Sequence, residues 1–238
     1  MTGPQDGTLA ENWLTRALYR LQDLPGYAGR TFGRKLRRRL ARQLQLRFGA
    51  WLAELTPSDI CLDLGANVGV FTELLARTGA RVHAYEPDPV NFAALKARVG
   101  ELANVTLHQA AVGATSGRLT MYRPLAAMKE PGDMASQGVT GQFRPGLSDG
   151  ANSFEVDLVA FDAILAGLGG PVRLVKIDIE GAELDILSAL ASGQMRVECD
   201  EIFVETHEKQ YPGTWPQVRR LRHRFRKASR PAIFPYWI

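Results

Sequence analysis

The sequence predicts an α/β fold, a doubly wound and mostly parallel sheet preceded by an N-terminal helical extension. Three observations carry this. From Asp59 onward, short apolar runs alternate with segments of helical periodicity, and strands alternating with helices pair in parallel. The runs are mostly apolar, as strands covered on both faces require. Glycines and carboxylates collect at the ends of the runs, where a doubly wound sheet binds ligands.

Composition narrows the classes. A chain of 238 residues suffices for one domain with a full core. With 45% hydrophobic and 23% charged residues it is globular, neither disordered nor fibrous. Two cysteines cannot build a disulfide framework or a four-thiolate zinc site. No apolar run approaches the ~18 residues of a membrane span. Residues 1–13 lack a basic segment followed by an apolar one, so no signal peptide is expected and a cytoplasmic location is the default.

In chain order, residues 11–22 and 34–48 read as helices. In the second, Leu36, Leu40, Leu44 and Phe48 recur every four residues, while Arg37, Arg38, Arg39 and Arg42 occupy other faces. This amphipathic helix is expected to dock its Leu stripe on the core. Residues 1–50 form the extension and 51–238 the α/β domain. Ile60–Leu64 is the first strand. Phe71, Leu74, Leu75 and Thr78 have helical spacing, stopped by Gly79. Val82–Tyr85 is the second strand, and a helix follows Pro89 with Phe92, Leu95 and Val99 on one face. Val105–Ala111 is the third strand. Val172–Ile179 is a strand, Ala182–Leu190 a helix, and Glu201–Glu205 a strand. A basic helix is expected around Val218–Lys227, then a strand at Ala232–Trp237. Gly117–Tyr122 and Phe154–Val159 are β segments outside this rhythm. Between them, 123–153 is rich in Gly, Pro and Ser. So long an irregular stretch suggests a lid over the site.

The net charge of +4 is unevenly spread. Residues 1–50 hold ten Lys and Arg against three acidic residues, and 217–238 hold seven against none. These ends could meet phosphates, an anionic membrane surface or the acidic body of the same chain.

Four motifs stand at strand ends. Asp63-Leu-Gly65-Ala-Asn67-Val-Gly69 lets backbone approach a ligand where no Cβ intrudes. Asn67 and Val70 replace two glycines of the G-x-G-x-x-G diphosphate cradle, which argues against a dinucleotide oxidoreductase. Glu86, followed by Pro87, lies 21 positions after Gly65, where a carboxylate accepts both hydroxyls of a ribose. Ribose without diphosphate points to an adenosine ligand such as S-adenosylmethionine. Asp178 and Glu180 sit at the carboxyl end of a buried strand, where unpaired charge is costly and a cationic ligand would supply a partner. Glu180 and Glu183 can also cap the next helix at its positive end. Glu205 and His207 end a further strand; a lone histidine there can equally be a hydrogen-bonded rim residue.

Together, DLGANVGVF (63–71), YEPDPVNFAAL (85–95), AAVG (110–113), VDLVAFDAIL (156–165), VKIDIEGAELDIL (175–187) and FVETH (203–207) resemble the FkbM-type S-adenosylmethionine-dependent methyltransferases over residues 58–207. The resemblance implies a Rossmann-like, class I methyltransferase fold and methylation of a hydroxyl on a sugar, glycan or secondary metabolite. It implies that Gly65, Asn67 and Gly69, within the segment from Asp63 to Phe71, hold the methionine moiety, with Glu86 and Pro87 at the ribose. Ala110 and Ala111 would lie near adenine. Asp178 would face the amino acid part of the cofactor or the reactive centre. Glu180 and His207 become candidates for orienting or deprotonating the acceptor. A divalent ion on Asp178, Glu180 or Glu205 is an alternative way to acidify a hydroxyl. The family's fold normally has two further strands after FVETH, one antiparallel, where only Ala232–Trp237 reads as one. The rival functions are a nucleic-acid (RNA) methyltransferase using the basic ends, and a non-catalytic, membrane-peripheral protein.

Overall fold

The computed structural model describes residues 9, 11–122, 153–209, 211–227 and 231–237. Of the expected lid, residues 123–152 lie outside the described residues.

Six strands form one sheet in the order β3-β2-β1-β7-β8-β9. They are β1 (Ile60–Leu64), β2 (Arg81–Tyr85), β3 (Val105–His108), β7 (Val172–Ile177), β8 (Cys199–Glu205) and β9 (Ala232–Trp237), and every pairing is parallel. All five residues of β1 are buried, and the side chains of Leu62 and Leu64 are fully enclosed. That explains the largely apolar runs: each face of the sheet is covered by helices. On one face, α2 (Gly26–Glu54) lays Leu36, Leu40, Leu44 and Phe48 against Cys61, Leu174, Phe203 and Phe234, together with α1 (Trp13–Leu21) and α3 (Val70–Ala76). On the other, α5 (Phe161–Gly167), α6 (Glu183–Ser192) and α7 (Trp215–Arg224) pack on Leu62, Leu64, Val175 and Ile202. The helix α4 (Pro89–Val99) packs Leu95 and Val99 on Ala84 of β2 and on Val105 and Leu107 of β3, the edge strand on that side. No helix among the described residues is long and apolar enough to cross a membrane.

Several boundaries differ from the sequence reading. The second helix runs from Gly26 to Glu54, well beyond 34–48 at both ends. The glycines in its first turns, Gly29 and Gly33, are buried; a Cβ at Gly33 would lie 2.0 Å from the Trp215 ring, so close packing excludes a larger residue there. The expected third strand, 105–111, is two. It stops at His108, and Ala111–Gly113 starts β4, in a separate sheet of order β4-β6-β5 with β6 (Ser153–Ala160) and β5 (Gly117–Tyr122). The seventh strand ends at Ile177, before Asp178. The helix α5 was not among the expected elements; seven residues are too few to show a period.

Among the described residues one strand, β9, lies outside β8 in parallel register. Phe203 faces Phe234 and Glu205 faces Trp237, so β9 carries one extra residue around Pro235. Proline cannot donate to a ladder, and a bulge on an edge strand accommodates it.

Candidate functional site

The chain leaves β1 outward to β2 and β3, then returns to the opposite side of β1 at β7. The crevice of a doubly wound sheet lies at that reversal, beyond the carboxyl ends of β1 and β7. All four motifs converge there.

Gly65 sits immediately after β1 with φ of 79°. Its N–H and that of Ala66 both donate to the Tyr85 carbonyl at 2.9 Å, binding the turn to the end of β2. A Cβ on Gly65 would lie 1.8 Å from the backbone oxygen of Asp178. The glycine is therefore fixed both by its left-handed conformation and by contact with the β7 end. Gly69 (φ 85°) is similarly enclosed by Leu95, opening α3 against α4.

Glu86 is fully buried. Its Oε2 accepts from the Asn67 N–H at 2.8 Å and its Oε1 from the Asp88 N–H at 2.9 Å. Burial pushes its pKa up to about 7, against the lowering effect of the two N–H donors. The carboxylate is thus aligned by backbone, and each oxygen retains a lone pair for a further donor. Pro87 is buried beside it, and Asp88 caps α4 by accepting from Val90.

At the end of β7, the Lys176 ammonium donates to the Gly65 carbonyl at 2.7 Å and lies 3.2 Å from Asp63 and 3.5 Å from Asp178. Burial disfavours its charge, but the two carboxylates outweigh burial and raise its pKa. Asp63 also accepts from the Thr72 hydroxyl at 2.7 Å. It is fully enclosed, and it braces the crevice from behind through Lys176.

His207 follows β8. Its Nδ1 is 3.1 Å from Glu183 Oε1, which also accepts the His207 backbone N–H. Its Nε2 lies 3.3 Å from Asp178 Oδ1 and 3.7 Å from Glu180 Oε2. Burial alone would depress the imidazole pKa; the bonds to Asp178 and Glu183 reverse this and take it up to about 10. Asp178 is held below the usual carboxylate range, burial being outweighed by His207 and Lys176, whereas burial raises Glu180. Asp178, Glu180 and His207 place one ligand atom each within 4.8 Å of one another, as a divalent ion requires. Asn67 (φ 51°) and Glu180 (φ 54°) are the non-glycine residues of positive φ among those described. Both line this crevice, and such strain concentrates at functional sites.

Other expected residues lie further back. Phe71 stacks on Phe48 at 4.8 Å and meets the Trp237 edge, facing the aromatic core beneath the turn. Ala110 and Ala111 are buried where the chain passes from β3 to β4. Glu205 pairs with Arg37 of α2 at 3.0 Å. Three participants escaped the sequence reading. Lys176, a charge inside an apolar strand, was the signal available. Glu183 reads locally as a cap, and it does accept the Gly181 N–H at 2.6 Å, but its second role on His207 is tertiary. Tyr211 donates to the Glu180 carbonyl at 3.2 Å, a contact 31 residues apart that no local pattern announces.

The crevice fits S-adenosylmethionine. The close approach of backbone at Gly65 and the buried carboxylate of Glu86 suit a nucleoside, and the acidic cluster at Asp178 and Glu180 suits its cationic end. Comparisons with known proteins bear on the family. Residues 63–229 match the family described as "Methyltransferase FkbM domain". A relative from Streptomyces tacrolimicus, named 31-O-demethyl-FK506 methyltransferase FkbM, is 31% identical over 159 residues, 58% of this chain and 61% of its own length. Methyltransferase sdnD of Sordaria araneosa is 25% identical over 194 residues, 71% of this chain and 74% of its own. The ribosomal RNA small subunit methyltransferase A of Thermotoga maritima is 49% identical over only 55 residues, 23% of this chain and 20% of its own. The match thus spans about three fifths of the first of these relatives and a fifth of the last. No solved structure matches the chain significantly. The chain belongs to the FkbM methyltransferase family, whose methyl donor is S-adenosylmethionine.

Proposed function

We propose that the protein transfers a methyl group to a hydroxyl of a sugar, glycan or secondary metabolite. The observation that carries this reading is the buried Glu86 carboxylate, locked to the glycine turn by the Asn67 N–H at 2.8 Å. Such a group recognises a ribose, and the turn lacks two glycines of the usual diphosphate cradle, with Asn67 and Val70 in their places. The hydroxyl acceptor is supported by the name of the Streptomyces relative.

S-adenosylmethionine brings an already activated methyl on a sulfonium. The chain's own residues must then bind, orient and exclude water. Glu86 accepts the ribose hydroxyls, while Gly65, Asn67 and Gly69 offer backbone to the methionine portion. Asp178, ionised by its two cationic neighbours, faces the cationic end. His207 is oriented by Glu183 and stands beside Glu180, where an incoming hydroxyl would be placed.

Glu86→Ala should weaken S-adenosylmethionine binding by about 1–3 kcal/mol, the cost of unmatched polar groups. Unchanged affinity by calorimetry would refute the ribose assignment. The same carboxylate predicts a pH dependence. With its pKa raised to about 7, Glu86 in the free protein is largely protonated at pH 6 and largely ionised at pH 8. Ribose hydroxyls donate to the ionised form, so affinity should rise about tenfold between pH 6 and pH 8 and then level off. Glu86→Gln should flatten that slope; a wild-type profile flat over this range would contradict it.

A second reading, methylation of RNA, is favoured by the ribosomal RNA relatives, though over a short segment. A salt-dependent gel shift with structured RNA decides it, since phosphate contacts weaken steeply with salt.

A further inference from the structure

We propose that Asp178, Glu180 and His207 form a binding site for one octahedral divalent cation, Mg²⁺ or Mn²⁺, whose open positions take the acceptor hydroxyl. This deepens the hydroxyl-methylation reading and rests on it for the role of the open positions.

Four features point to a cation. The first is ligand geometry. His207 Nε2 lies 3.3 Å from Asp178 Oδ1 and 3.7 Å from Glu180 Oε2, and the three ligand atoms fall within 4.8 Å of one another. Adjacent ligands around an ion with bonds of about 2.1 Å stand about 3 Å apart, so small side-chain adjustments suffice.

The second is the support behind each ligand. Metal-binding histidines usually engage a carboxylate through the other ring nitrogen. His207 Nδ1 has that partner in Glu183, which is fully buried and tied in turn to the Gly181 N–H. Asp178 turns Oδ2 to Lys176 and Oδ1 to the cluster, so one oxygen is anchored and the other faces inward. Tyr211 pins the Glu180 backbone in its left-handed conformation.

The third is charge. Asp63, Asp178, Glu180 and Glu183 gather around one ammonium, Lys176, and the His207 ring. Glu205, another nearby carboxylate, has its own partner in Arg37. Four carboxylates against one fixed cation leave an excess of acidic groups that a dication would offset.

The fourth is access. The His207 side chain is 5% exposed, but Asp178 is 30% and Glu180 18% exposed. The cluster is closed behind and open on the carboxylate side, the arrangement of a catalytic rather than a structural ion. One nitrogen and two oxygens suit a hard or borderline octahedral ion that keeps waters or substrate oxygens. A hydroxyl bound there would be more acidic than in water, which removes the need for a strong side-chain base.

The test is Mn²⁺ titration of the full-length, EDTA-treated protein followed by electron paramagnetic resonance, with calorimetry of S-adenosylmethionine in parallel. Saturation at one Mn²⁺ per chain is expected. Glu180→Gln and His207→Ala should lose it, and Glu183→Gln should weaken it about 10–100-fold, as supporting partners do. Glu205→Gln should retain it, and circular dichroism should show each variant folded. Absence of stoichiometric Mn²⁺, or equal binding by wild type, Glu180→Gln and His207→Ala, overturns the cation site. If S-adenosylmethionine still binds in that case, the methyl-donor reading stands alone; if it does not bind, that reading fails separately.

Discussion

Gly65→Ala is expected to abolish S-adenosylmethionine binding and to destabilise the fold by about 3 kcal/mol or more. Two costs combine. An L-residue at a left-handed φ of 79° loses about 1–2 kcal/mol. The added methyl would also stand 1.8 Å from the Asp178 carbonyl oxygen and 2.8 Å from its carbon. Those atoms belong to backbone, not to a flexible side-chain tip, and overpacking of this kind costs a further ~1–3 kcal/mol. Relief requires the ends of β1 and β7 to part. That movement breaks the Lys176 bond to the Gly65 carbonyl and displaces Asp178 from the crevice. Urea denaturation measures the stability loss, and calorimetry the binding. Alanine at this position with near-normal affinity would show that the β1–β7 junction is not the cofactor crevice.

Arg222→Ala should cost about 3–5 kcal/mol, the usual penalty for stranding one half of a buried ion pair. Arg222 is fully enclosed although it lies in the most basic segment of the chain. Its Nη2 donates to Glu208 Oε1 at 2.8 Å and to the Thr206 hydroxyl at 3.2 Å, and its Nε to the Pro235 carbonyl at 3.3 Å. Burial alone would raise the Glu208 pKa; Arg222 and Arg37 outweigh it and lower it. Removing the guanidinium leaves that carboxylate with Arg37 at 3.7 Å as its remaining cation. The double variant Arg222→Met, Glu208→Leu should lose clearly less than the sum of its single changes, because no buried charge is orphaned. Additive losses in chemical denaturation would contradict a coupled pair.

These two sites mark the limits of what could be read in advance. The glycine turn, Glu86 and the β7 end were legible because the chemistry is local. A glycine after an apolar run, or a carboxylate at a strand end, announces itself within a few residues. The charge asymmetry was visible too, but not its meaning. Part of it turns inward. Arg37 reaches the Thr206 carbonyl, Glu205 and Glu208, Arg47 pairs with Glu201, and Arg226 with Glu11. Of the three destinations open to the basic ends, the acidic body of the same chain accounts for Arg37 and Arg47, whereas Arg226 joins one basic end to the other through Glu11. Sequence periodicity cannot separate an arginine stripe that meets solvent from one that meets buried glutamates, because both occupy the polar side of an apolar helix.

The third strand failed for a related reason. Residues 105–111 are apolar enough for one strand, yet hydrogen bonding divides them between two sheets. Partner choice in a β ladder is set by distant chain, here β2 for Val105–His108 and β6 for Ala111–Gly113.

By itself, then, the sequence determined the layered α/β class and that Gly65, Asn67, Glu86, Asp178, Glu180 and His207 stand at the carboxyl ends of its strands, since burial pattern and strand-end placement are short-range properties. Only the tertiary structure decided that β9 lies parallel beside β8, that Lys176 braces the crevice, and that Glu183 orients His207. Those outcomes depend on charges and backbones brought together across tens to more than a hundred residues, where burial makes each unpaired group costly and so selects its partner.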